Sequence, residues 1–184
     1  MALSKVNFNS LNLTPTASKT VVFNSNNNGL EAGDVGGSLV LISTQTASSS
    51  STISFTSGID STYKEYIFKF IDIHPATNTT KLQINASADS GSNYNVTKTT
   101  TYFQAYHTES DSATALSYYA NRDLAQSTSA QQLKDIGNTS DDSAAGTLHL
   151  FNPSSTTFVK HFISRFTGPT GESTQNLHHS FVGG

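Results

Sequence analysis

An antiparallel all-β sandwich, jelly-roll-like and led by an extended N-terminal arm, is the fold this sequence predicts, and three observations carry the expectation. The segment Glu65 to Ile73, EYIFKFIDI, puts Tyr66, Phe68 and Phe70 on one pleat face and Ile67, Ile71 and Ile73 on the other. A strand apolar on both faces is expected to be central and covered. Period-two segments recur along the chain with turn signals roughly every 8 to 12 residues, the spacing of sandwiches rather than of βαβ units. Finally, 68 of the 184 residues are Ser, Thr or Asn, which gives a wet, hydroxyl-rich surface around a narrow core supplied by eleven Phe and seven Tyr.

Taken in order, residues 1–37 form an arm or attachment segment. It holds two short β-like pieces, Val6 to Leu13 and Thr20 to Phe23, separated by Pro15 and followed by the polar run from Asn24 to Gly29. Residues 38–184 form the sandwich. Leu39 and Leu41 alternate with Val40 and Ile42 in a strand expected over Ser38 to Thr46, and Thr52 to Thr56 reads TISFT with Ile53 and Phe55 inward. Glu65 to Ile73 follows and Pro75 ends it. Lys81 to Ser87 places Leu82, Ile84 and Ala86 on one face, and Val96 to His107 is rich in Thr and aromatics, favourable strand chemistry. From Ser110 to Ser143 the pattern weakens and the reading is mixed. Thr147 to Phe151 and Thr157 to Phe166 restore period two, Gly168 to Gly171 reads as a turn, and Asn176 to Val182 as a last strand. No internal repeat points to a propeller or solenoid.

Charged residues make up 12% and the net charge is -3, so the chain carries no basic field for nucleic acid and no polybasic face for anionic lipid. No run approaches the roughly 20 apolar residues that span a bilayer, and the N-terminus lacks the apolar core of a secretory signal. Absent cysteine removes disulfides and thiolate chemistry. The expectation is a soluble chain made in a cytoplasm, with neither nucleic acid nor membrane insertion.

No residue cluster specifies catalysis. His74, His107, His149, His161, His178 and His179 form no ligand spacing, and the adjacent pair alternates across a strand, so no metal site is expected. Asp89, Gly91 and Asn93 resemble the start of a calcium loop but lack the further carboxylates, and a tight turn is the better reading. Carboxylates fall mainly in polar loops, and no G-x-S-x-G elbow occurs. The expectation is no enzyme and no cofactor. Sequons at Asn12, Asn78, Asn85, Asn95 and Asn138 match the number, about four, that this composition gives by chance. Tyr94, Tyr118 and Tyr119 lie in or beside polar loops. Flat rings with polar tips suit sugar stacking, so these three are the candidate carbohydrate-binding residues, against a role covering the sandwich edges.

Three stretches, TSGIDSTYKEYIFKFIDIHPAT (Thr56 to Thr77), ADSGSNYNVTKTTTYFQAYHTE (Ala88 to Glu109) and GTLHLFNPSSTTFVKHFISRF (Gly146 to Phe166), together resemble a family of virion-associated, fibre-like structural proteins of marine tailed bacteriophages such as cyanophages. The resemblance extends from about Leu39 onward. It implies a non-enzymatic virion structural protein, part of a tail fibre or other host-contacting appendage, with a capsid decoration or head-fibre protein as the alternative and a carbohydrate-binding module as a further one. It places the chain on the virion surface, at a tail appendage or the capsid exterior. The implied partners are other virion proteins, copies of itself in a homo-oligomer (fibre proteins are commonly trimers), and host surface polysaccharide. Related chains continue past the position of Phe181 by two β segments, so the expectation is either that the given sequence is incomplete or that the sandwich lacks its closing strands, and an open sheet edge would be covered by a neighbouring chain.

Overall fold

The computed structural model describes residues 19–24, 26, 28–34, 39–171 and 176–184. The chain divides into two compact units, residues 1–44 and 45–184. In the first, β1 (Lys19–Phe23) and β2 (Leu30–Asp34) pair as an antiparallel hairpin from Lys19↔Asp34 to Phe23↔Leu30. The Asn-rich run closes it, with Asn24 N–H donating to Gly29 O at 3.0 Å and the Asn24 amide to Asn28 Oδ1 at 2.8 Å. Val6 to Leu13 lies outside the described residues.

The second unit is an antiparallel β-sandwich. Its strands are β3 (Glu65–Ile73), β4 (Thr80–Ile84), β5 (Thr101–Thr108), β6 (Thr114–Tyr118), β7 (Gln131–Ile136), β8 (Ala144–Phe151), β9 (His161–Pro169) and β10 (Asn176–Gly183), with a 3-10 turn at Ala120–Arg122. One sheet has the order β3-β8-β9-β10-β5-β6 and the second is β4-β7. Three ladders are nested along the chain: β3 with β8, β4 with β7, and β5 with β6. Successive ladders alternate between the sheets, which is the wrap of a jelly roll, here with β9 and β10 inserted between β8 and β5. No helix among the described residues is long and apolar enough to cross a membrane.

The inner face changes character across the sheet. On the β3-β8-β9 side it is dry: Phe68, Phe70, Leu148, Leu150, Phe162 and Phe166 pack with Leu82, Ile84 and Leu133 of the small sheet. Gly146 makes this possible, because a Cβ there would sit 2.4 Å from the Phe166 ring and 2.5 Å from Arg165 O. On the β10-β5 side Tyr102 and Val182 still join this core, and beside them Ser180, His178, Gln104 and Thr108 are buried polar residues facing β7, where all six residues of QQLKDI are buried. Ser180 Oγ donates to Leu133 O at 2.6 Å across the two sheets.

Several expectations are corrected. EYIFKFIDI is a strand with the bounds read from sequence, but it is an edge strand rather than a central one, and Ile71 is 77% exposed. The ladder with β8 is interrupted between Phe70 and Ile73, with Asp72 at positive φ; Ile71 lies open to solvent there, while Ile67 and Ile73 are half-buried. Residues 39–46 and 52–56 form no strand, because alternation alone does not supply a ladder partner; Phe55 still packs edge-to-face on Phe68 at 5.6 Å. β5 starts at Thr101 rather than Val96, with only a Lys98↔Ser127 bridge before it. β9 starts at His161, leaving Phe158 in an exposed loop, and runs on through Gly168 and Pro169, where a turn was expected. β10 lies between β9 and β5, so the sheet edges are β3 and β6 and not the last strand.

Candidate functional site

The polar half of the sandwich holds a half-open cavity of about 440 Å³, within the range of small-molecule pockets. Period two on β5 turns Gln104, Tyr106 and Thr108 toward it; β10 contributes His178, β7 contributes Asp135, and Tyr119, Arg122 and Thr170 come from the segments after β6 and β9.

Arg122 organises one wall. Its Nη2 pairs with Asp135 Oδ2 at 2.7 Å, and its Nη1 donates to Tyr102 Oη at 3.0 Å and Gln104 Oε1 at 3.3 Å. The guanidinium lies 4.9 Å from the Tyr102 ring centre and 4.8 Å from that of Tyr119. Asp135 Oδ1 accepts from Gln132 Nε2 at 2.9 Å, so both carboxylate oxygens are satisfied. Lys134 beside it is buried, with Nζ donating to Asp135 O at 2.7 Å.

Gln104 fixes the second wall. With its carbonyl oxygen facing Arg122 and the Tyr102 hydroxyl, its Nε2 donates to Tyr119 Oη at 3.1 Å and to His178 Nδ1 at 3.0 Å. His178 Nδ1 is then the acceptor, and the ring proton resides on Nε2. The ring is stacked on Tyr106 at 5.2 Å. Burial, with Lys134 and then Arg122 nearby, holds the His178 pKa down to about 4, so the ring is neutral at pH 7. Its Nε2 has no hydrogen-bond partner among the described residues, nor has Thr170 Oγ1, and both side chains are more than nine-tenths buried and line the cavity. Each is a buried polar group with unmet capacity.

The three tyrosines singled out from sequence are separated. Tyr119 joins the cavity wall, its ring edge-on to Tyr102 at 6.0 Å. Its neighbour Tyr118 turns to the opposite face, 59% exposed, with its hydroxyl on Asp123. Tyr94 sits in the loop before β5, its carbonyl taking a hydrogen bond from Asn85 Nδ2 at 2.8 Å; no hydrogen bond or ring contact among the described residues joins it to the other two. Gln104, Arg122, Asp135, Thr170 and His178 were not anticipated. The available signal was the isolated cations Arg122 and Lys134 in a charge-poor chain.

The outer face of the six-stranded sheet is a second surface. Phe181 stacks on Phe103 with centroids 4.9 Å apart, Arg165 lies over Phe181 at 5.4 Å, and register continues the row to Tyr118. Leu116, Ile163 and Leu177 stand exposed around it, and a groove of about 410 Å³ runs between Ile71, Thr147, Arg165, His179 and Phe181. Among the described residues no three His, Cys, Asp or Glu cluster as metal ligands. No protein-family model, curated protein or solved structure matches the chain.

Proposed function

We propose that this chain is a non-enzymatic structural protein of a tailed-phage virion, a component of a tail fibre or other host-contacting appendage that assembles with copies of itself. The observation that supports the reading is the outer sheet face, where Phe103, Leu116, Tyr118, Ile163 and Leu177 are exposed together, Leu116 at 73%. Exposed apolar side chains gathered on one sheet face, with Arg165 and His179 among them, mark a surface suited to association. Six strands spaced ~4.8 Å apart and up to nine residues long give a face of roughly 600–700 Å². Two such faces together bury about 1,200–1,400 Å², enough for a specific interface. The occupant is a second copy of the same face. Weak net charge and an abundance of neutral hydroxyls favour such packing in saline water, where ion pairs are screened.

Gold labelling of intact virions with an antibody raised against residues 45–184 tests the assignment. Label at the tail or its fibres supports a host-contacting appendage, label over the head moves the protein to capsid decoration, and unlabelled virions contradict both.

A further inference from the structure

We propose that copies of this chain meet ridge in trough: Leu116 and Tyr118 of one copy seat over Ala145 and Thr147 of a second. The inference rests on the assembly reading above and names which part of the outer face touches which. Register gathers the outward side chains into rows that cross the sheet. One row runs Lys69, Thr147, Arg165, Phe181, Phe103 and Tyr118, from β3 through β8, β9, β10 and β5 to β6. The neighbouring row runs Ala145, Thr167, His179, Ala105 and Leu116, from β8 to β6. Each has a small residue at β8 and a large, open one at β6: Leu116 is 73% and Tyr118 59% exposed, and β6 is the sheet edge. Ala145, Gly146 and Thr147 floor the groove of about 410 Å³, with Lys69 and Ile71 on one bank and Arg165 and His179 on the other. One face therefore carries both a ridge and a hollow that takes a pair of large side chains.

Charge sets the direction. Lys69 and Arg165 are exposed on either side of Thr147, and neither is in an ion pair among the described residues. Arg165 lies over the Phe181 ring at 5.4 Å. At the ridge, the Tyr118 hydroxyl donates to the Asp123 carboxylate. Seating Tyr118 over Thr147 brings that carboxylate between the two cations and the tyrosine ring against them. The same charges oppose contacts of like with like. Trough on trough sets Lys69 and Arg165 against their own copies, and ridge on ridge sets Asp123 against Asp123 and leaves the groove unfilled.

The chain has no cysteine, so Leu116→Cys and Ala145→Cys, made together in the full chain, allow specific cross-linking with an ethylene-bridged bismaleimide. β8 and β6 are four strand spacings apart, ~19 Å, beyond the reach of that linker, so a link from 116 to 145 joins two copies. The expected result is covalently joined chains on a denaturing gel, with mass spectrometry finding peptides that connect position 116 to position 145. Links of 116 to 116 or of 145 to 145 in their place, or an oligomer that stays unlinked, overturn the ridge-in-trough contact while association through the outer face stands. A wild-type chain that sediments as a monomer contradicts that association and this contact with it. Ala145→Phe keeps the test decisive should Leu116→Cys itself weaken the contact. It fills the groove from an exposed position, so the urea midpoint should be unchanged while association weakens about tenfold or more. Lys69→Glu should weaken association in the same direction, and an assembly indifferent to both substitutions overturns the proposal.

Discussion

Asp89 closes its turn with one carboxylate: Oδ1 accepts from Ser87 Oγ at 2.6 Å and from Asn93 N–H at 2.8 Å, and Oδ2 from Asn93 Nδ2 at 2.7 Å. Those hydrogen bonds, that from Ser87 foremost, hold its pKa down to about 2, and they give the Asp89-Gly91-Asn93 spacing a role as a self-capped turn. A pKa depressed on folding adds stability above the unfolded value near ~3.9, lost as pH falls through about 2. NMR titration should therefore find the Asn93 amide shift unchanged from pH 7 to 4 and moving only below 3; a midpoint near 4 contradicts it. His178 has the opposite chemistry and the same slope. Unfolded, it takes a proton near pH ~6.5; folded, facing Lys134, Arg122 and the Asp135 carboxylate across the cavity, it resists until about pH 4. The unfolded state thus binds more protons between those values, and stability rises with pH across the window, by on the order of 3 kcal/mol. Urea unfolding at pH 5 and pH 7.5 measures it, and His178→Gln should flatten the slope.

At the scale of elements, β7 is where sequence reading and structure part. QQLKDI lacks the alternation that marks a half-buried strand, yet all six residues are buried, because its polar groups are satisfied by Arg122, Thr100, Ser180 and one another instead of water. Hydrophobic periodicity reports only burial that is apolar. That is why the all-β class, β3, β4 and β10 were legible while β7 and the cavity were not. The reverse error arose at residues 39–46, where apolar alternation is present without a ladder. β3 shows a third kind of limit: two apolar faces distinguish a strand well, but its place in the sheet depends on distant β8. The buried polar wall is expected to act as a unit. Asp135→Ala strands Arg122 against two tyrosine rings with its charge uncompensated and should cost about 3 kcal/mol in urea unfolding. Adding Arg122→Met to it should restore part of that loss, and strictly additive losses would count against a coupled pair.

At the scale of the whole molecule, the jelly-roll wrap gives one sheet two unlike faces. Inward, β5 and β10 supply a polar cavity; outward, the same strands supply Phe103, Leu177 and Phe181. Under the proposed reading, copies would join by the outer face and leave the polar cavity of the inner face clear of the contact. Self-association through the outer face is the central claim, and sedimentation equilibrium of the full chain at micromolar concentration, with and without Leu116→Ser and Ile163→Ser, tests it most directly. Both positions are exposed in the single chain, so the variants should stay folded. The expected result is a concentration-independent oligomer, a trimer for a fibre component, that the paired substitutions convert to monomer; a wild-type chain that sediments as a monomer throughout, or an oligomer indifferent to both substitutions, would contradict it.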